Sequence, residues 1–252
     1  MSPENIQATE PEPSGMSEFS RLTGVFFEPS KTFADIAERP TWLVPLVLVI
    51  LVSLLLMVLF MQHVGVEGMI RQQMDSNPRT AQLTPEQRQR AIAMGSQIAG
   101  VSMYLGPIVG VPLYDLIAAA VLMGIVGGIL SAPVKFKQAF AIVCYAGLPG
   151  VIAAVLSIVV MFLKKPEDFD IRHPLAFNLG VLMDPQTSHK ALHSIATSMD
   201  LFSIWTILLL ATGFKAAAGG RLSFGGALFA VALPWGIWVL IRAGLAGAGM
   251  MG

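Results

Sequence analysis

The sequence predicts an all-α polytopic membrane protein, a five-transmembrane-helix bundle with an N-terminal amphipathic segment. Three observations predict it. Hydrophobic residues make up 54% of the 252 positions and charged residues only 13%, whereas a soluble domain is about a quarter charged. Too few polar groups remain to cover a water-soluble surface. The apolar residues gather into five runs almost free of charge, and mean hydropathy over the chain is +0.68. The runs are continuous rather than alternating, which excludes a transmembrane β-barrel. Lys+Arg and Asp+Glu balance at 16 each, so no basic excess is available to displace counterions from nucleic acid. The single cysteine, Cys144, cannot close an internal disulfide.

Residues 1–17 are polar, acidic and proline-containing. They lack the basic start and apolar core of a signal peptide and read as a disordered tail. Residues 18–40 are an amphipathic juxtamembrane segment. Phe19, Leu22, Val25 and Phe26 recur at three- and four-residue steps, and Phe33, Ile36 and Ala37 repeat the pattern after Pro29. That spacing fits one or two short helices lying on a membrane surface or packed under a bundle. Pro29 suits a first helical turn.

The membrane domain spans 41–246. Its first run, 43–61, is 19 residues without a charge, nearly enough to cross ~30 Å of hydrocarbon at about 1.5 Å per residue. Trp42 stands at its edge. Residues 62–98 are polar, and Thr84-Pro85-Glu86-Gln87 reads as a helix start. A helix beginning there can continue into the second run, 101–130, which holds one charge, Asp115, and two prolines, Pro107 and Pro112, expected to kink or break it. A basic connector with Lys135 and Lys137 leads to the third run, 139–163. A polar region over 164–197 follows. The fourth run, 201–214, has only 14 residues, about 21 Å of helix; Lys215 must snorkel and Asp200 must sit at its boundary. The fifth run is 222–241, with Trp235 and Trp238 towards one end. The expected spans are about 42–62, 103–130, 139–163, 198–217 and 222–242.

Charge gives a divided vote on orientation. With the N-terminus inside, seven basic residues fall on inner segments and nine on outer ones. The inner connectors, however, are short and purely basic, and the positive-inside rule weighs such loops most. The N-terminus is therefore read as cytoplasmic.

Several local patterns then combine. Phe26-Phe27-Glu28-Pro29-Ser30-Lys31-Thr32-Phe33, followed by Arg39-Pro40-Thr41-Trp42 and Pro45, precedes the first run. Asp200-Leu201-Phe202-Ser203-Ile204-Trp205 opens the fourth, and Leu222-Ser223-Phe224-Gly225 the fifth. Together these resemble the bacterial branch of the Yip family, the Rab-interacting five-span membrane proteins. The resemblance covers roughly 19–242. It implies five spans, a cytosolic N-terminus, a C-terminus on the opposite side and, for a bacterial member, the inner membrane. It also implies a non-enzymatic adaptor or organiser of membranes, with other membrane proteins or a prenylated small GTPase as partners.

The residues offer a few sites to weigh. A carboxylate inside a span usually marks function, which singles out Asp115 and Asp200; an interface position, or for Asp200 a helix cap, is the structural alternative. Trp205 joins them as a polar or structural candidate. Phe19, Leu22, Phe26, Pro29 and Phe33 are the candidates for binding the bilayer surface or a partner. His189 and His193 lie four apart with Asp184 nearby, but no third ligand stands at fixed spacing, so no metal is expected. Gly106/Gly110 and Gly124/Gly128 fit the small-residue spacing of close helix packing, either within the bundle or between copies of a homo-oligomer. No catalytic or cofactor-binding motif is visible, and neither enzyme activity nor a cofactor is expected. The alternative to an adaptor is a small transporter or lipid-translocating protein, with Asp115 and Asp200 around a midplane cavity.

Overall fold

The computed structural model describes residues 15–75, 80–169, 174–184 and 187–249. The tail expected over 1–17 lies outside the described residues as far as position 14. The described chain is all-α, with no strand; a single antiparallel bridge joins Asn178 to Asp200.

Two short helices open it. Ser17 caps α1 (Glu18–Phe27) by accepting from the Ser20 N–H at 3.2 Å, and α2 (Pro29–Glu38) begins on proline, whose missing N–H costs nothing at a first turn. Then come α3 (Leu43–His63) and the polar α4 (Val66–Asp75). Thr84 starts α5 (Pro85–Leu105) with a capping box: its Oγ1 accepts from Gln87 N–H, and Gln87 Oε1 accepts from Thr84 N–H at 3.0 Å. A π-turn over Gly106–Gly110 joins α5 to α6 (Val111–Gly124), and a second follows over Ile125–Ile129. The prolines therefore do not end the helix. Pro107 and Pro112 lie in and just beyond the first π-turn, a wider hydrogen-bond register that accommodates residues without a donor. Helix runs without a break from 85 to 129.

After the connector, α7 (Phe136–Ala146) and α8 (Pro149–Leu163) form one apolar stretch with a turn at Gly147. A long segment then leads to α9 (Lys190–Ser198), α10 (Leu201–Ala217) and α11 (Phe224–Gly247). Gly219 and Gly220, at φ +58° and +82°, turn the chain between α10 and α11, a backbone conformation that side chains with a Cβ disfavour. Among the described residues, four helical stretches are long and apolar enough to cross a membrane: 43–63, 85–129, 136–163 and 224–247. A fifth apolar helix, α10, is shorter, at 17 residues.

The central post is α7, buried on all sides from Ala139 to Ala146. It is packed by α2, α6 and α10, while α3 lies along α8 and α11 along α9 and α10. The N-terminal pair turns one face into the bundle and leaves the other exposed. Phe33 and Ile36 of α2 are buried in the same core as Ile142 and Phe214, and Ala37 is buried as well. Of the two settings that the periodicity of 18–40 allows, α2 takes the inner one.

Gly213 makes this packing feasible, since a Cβ there would stand 3.0 Å from Phe33 Cδ1 and closer still to Ile142 Cγ2. The glycine pairs Gly106/Gly110 and Gly124/Gly128, by contrast, do not pack helices within the bundle. A Cβ at any of the four would meet nothing within 4 Å. Close approach here is made by a glycine facing a bulky ring, and spacing alone does not reveal which glycines do that.

Candidate functional site

Two polar constructions stand out, one beneath the N-terminal helices and one around the start of α10. The first is built on Arg21. Its side chain is only 3% exposed, yet it carries a full charge. Arg21 Nε donates to Asp35 Oδ2 at 2.7 Å, and Nη1 donates to Thr41 Oγ1 at 2.6 Å and to Glu18 at 3.4 Å. Asp35 also accepts from Arg39 at 2.9 Å and from the Met16 N–H at 3.2 Å. Glu18 accepts from Thr41 at 2.7 Å and from the Tyr145 hydroxyl of α7 at 2.5 Å. Five side chains from the N-terminal part of the chain (Glu18, Arg21, Asp35, Arg39 and Thr41) and one from the central post, Tyr145, are thus tied together. Gln138 adds a bond to the Ala37 carbonyl at 2.7 Å. Burial alone would raise the Asp35 carboxyl. The hydrogen bonds from Arg21 and Met16, with the charges of Arg21 and Arg39, outweigh it and hold Asp35 below the usual carboxylate range. Arg21 is raised: burial opposes its charge, but Asp35 more than compensates.

An Asp held low in the folded state stabilises the fold fully above its unfolded value, about 4, and loses that contribution as pH falls through the lower folded value. Acidification below about pH 4 is accordingly expected to loosen α1 and α2 before the rest of the bundle. Hydrogen exchange of 18–38 at stepped pH measures it, and uniform protection down to global unfolding would contradict it.

The expected surface residues divide. Phe33 is fully buried, which corrects its assignment to a lipid- or partner-binding face: it touches neither. Leu22 and Phe26 are half-buried against the core, and the Phe26 ring meets Trp205 edge-on, centroids 5.5 Å apart. Pro29 is half-buried at the head of α2. Phe19 remains 75% exposed, and Phe27, which the sequence reading did not single out, 84%.

At the other construction, Asp200 is the N-cap of α10. Its Oδ1 accepts from the N–H groups of Phe202 at 3.0 Å and Ser203 at 2.9 Å. Asp200→Ala is expected to cost about 1 kcal/mol, whereas Asn keeps the acceptor and the cap; thermal unfolding of the detergent-purified variants compares them. The preceding chain is pinned here as well. Leu201 N–H donates to the Phe177 carbonyl at 2.9 Å, Asn178 caps its own turn through Gly180 N–H, and Phe177 packs edge-on to Phe202. Together they roof a cavity of about 430 Å³ between α6, α8, α10 and α11, with Tyr114, Ser157, Trp235, Trp238 and Arg242 among its walls.

This cavity includes Asp200 but not Asp115. Asp115 instead accepts from Cys144 Sγ of α7 at 3.6 Å, and Cys144 is itself buried. Asp115 shares its helical face with the buried Ala119, Leu122 and Val126, so it looks into the bundle. Asp115 and Asp200 therefore do not meet in one chamber. His189 accepts from Ala191 N–H as the cap of α9. Among the described residues no group of three His, Cys, Asp or Glu is placed to hold a metal ion.

Sequence reasoning missed the Arg21 network and most of the cavity wall. For Arg21 a signal existed, because it stands four residues before Val25 on the apolar face of α1. The cavity had none, since its walls come from separate helices. A family model described as the Yip1 domain matches residues 23–245. No curated protein and no solved structure matches the chain.

Proposed function

The chain belongs to the Yip1 domain family, and is a multi-pass integral membrane protein; on that premise we propose that it is a non-enzymatic membrane adaptor, docking partners through the outward face of α1. One observation carries this reading. Its inward face is fixed by the buried Arg21–Asp35 pair, and the fixed helix presents Phe19 and Phe27 outward, where nothing among the described residues covers them. Rigid, exposed aromatics are costly in water and are the usual anchors of a docking surface. The partner chemistry is an apolar groove on another membrane protein or a small GTPase. The adjoining bilayer, received by Phe19, is a second contact.

The proposal includes a bacterial inner-membrane location, a cytoplasmic N-terminus and five crossings. α10 is the fifth, its roughly 25 Å extended by Lys215 reaching to the headgroups. Cysteines placed at Ser30 and Gln82, in a protein lacking Cys144, are expected to label from opposite sides of the membrane. Labelling from one side would refute the topology. For docking, a photocrosslinking residue at position 19 or 27 is expected to capture a protein adduct in native membranes, and one at position 33 none. Equal capture from all three positions, or none from any, would refute the role. The transporter alternative needs Asp115 and Asp200 on one route; their separate surroundings give it no support.

A further inference from the structure

The cavity under the 174–178 segment points beyond docking. Among the described residues its wall carries two charged groups, Asp200 and Arg242. No ion pair joins them, and Arg242 has no hydrogen-bond partner among the described residues. Both cap bonds of Asp200 fall on Oδ1, leaving Oδ2 without a hydrogen bond. A cation and a carboxylate share a chamber without neutralising one another, which suits a ligand carrying both signs. Trp235, Trp238 and Arg242 stand at three- and four-residue steps, hence on one face of α11. The Trp faces attract an ammonium. The Arg242 guanidinium suits a phosphate, and Tyr114 and Ser203 line the same cavity with hydroxyl-bearing side chains.

We propose that this cavity binds a zwitterionic phosphoethanolamine headgroup, its phosphate on Arg242 and its ammonium between Asp200 and the tryptophans. The headgroup belongs to a lipid rather than to a free solute. The site lies along the second half of α11, a membrane-crossing candidate, where Ile237, Leu240 and Ile241 beside it are exposed as a lipid-facing surface would be, and Arg242 directly follows the uncharged run 222–241, where a headgroup phosphate would stand. Trp238 is itself 55% exposed, so the chamber is open to the flank of the bundle. About 430 Å³ is within the range of pockets that hold small molecules.

The test uses the full-length protein in detergent, titrated with dihexanoyl phosphatidylethanolamine, dihexanoyl phosphatidylglycerol and free phosphoethanolamine. Tryptophan fluorescence and native mass spectrometry read binding. The ethanolamine lipid is expected to bind more tightly than the glycerol lipid. Arg242→Gln is expected to weaken both lipids about tenfold, as loss of a charge-assisted phosphate contact does. Asp200→Asn, which keeps the cap, is expected to weaken only the ethanolamine lipid and so abolish the preference. Weak binding of free phosphoethanolamine assigns the site to lipid; binding as tight as that of the lipid supports the same headgroup chemistry with a soluble source. Equal affinity of the unaltered protein for both lipids, or an unchanged Arg242→Gln, overturns the proposal. Circular dichroism verifies the fold of each variant, and Trp238→Leu, expected to weaken the ethanolamine lipid selectively, replaces any that fails; no change in that variant is equally fatal.

Discussion

Replacing Arg21 by Met is expected to free the N-terminal helices from the bundle and to cost about 3–5 kcal/mol, the usual penalty for breaking a buried ion pair from one side. The cost does not arise from losing a favourable contact alone. Met removes the cation and leaves Asp35, whose side chain is 11% exposed, in a setting built to hold a charge. Glu18 loses its 3.4 Å partner, and Thr41 loses a donor. Arg39 still reaches Asp35 but is half-exposed, so it offsets only part of the loss. The double variant Arg21→Met/Asp35→Leu is therefore the informative one. With both charges gone, apolar packing is expected to restore most of the lost stability. Thermal unfolding in detergent, with hydrogen exchange over 18–38, measures both. A double variant as unstable as the single one would show that the network matters for its shape rather than its charge balance.

Gly213→Leu is expected to be comparably damaging from the opposite wall. Even a lone Cβ would press on Phe33 Cδ1 at 3.0 Å and on Ile142 Cγ2 more closely, and both neighbours are fully buried, with no room to retreat. Overpacking a dense core costs about 1–3 kcal/mol, occasionally more. Leucine lies at the upper end because α2 must leave α10 to admit it. Gly213→Ala is expected to show the same direction at smaller size, and trimming Phe33 to Leu to relieve part of it. If Gly213→Leu melts like the unaltered protein, the close seat of α2 on α10 and α7 is disproved.

What the sequence made legible divides along physical lines. All-α membrane character is a property of composition and run length, which act locally, and residues 43–63 and 136–163 declare it without tertiary information. Helix starts are local too: Thr84 with Gln87, and Pro29, act within one turn. So does Asp200, whose position just before an apolar run places its carboxylate within reach of the first free N–H groups. The fate of an amphipathic face is different. The 3.6-residue periodicity of Phe33, Ile36 and Ala37 says that a face is apolar but not whether lipid or protein covers it. Arg21 stands on the apolar face of α1, but its partners Asp35 and Thr41 lie on later segments that only the fold brings to it. The sequence singles out Asp115 and Asp200 together as polar candidates but not what each faces: one meets Cys144 and the other a cavity. Gly213 carries no spacing signature, whereas Gly106, Gly110, Gly124 and Gly128 carry one and meet open space.

The unbroken helix from 85 to 129 has a consequence for the molecule's reach. Forty-five residues measure about 68 Å at 1.5 Å each, and hydrocarbon about 30 Å deep occupies fewer than half of them. The remainder, with Arg88 and Arg90, is more helix than the hydrocarbon can take up, and the π-turn at Gly106–Gly110 joins that polar part, along which α4 packs, to the apolar one.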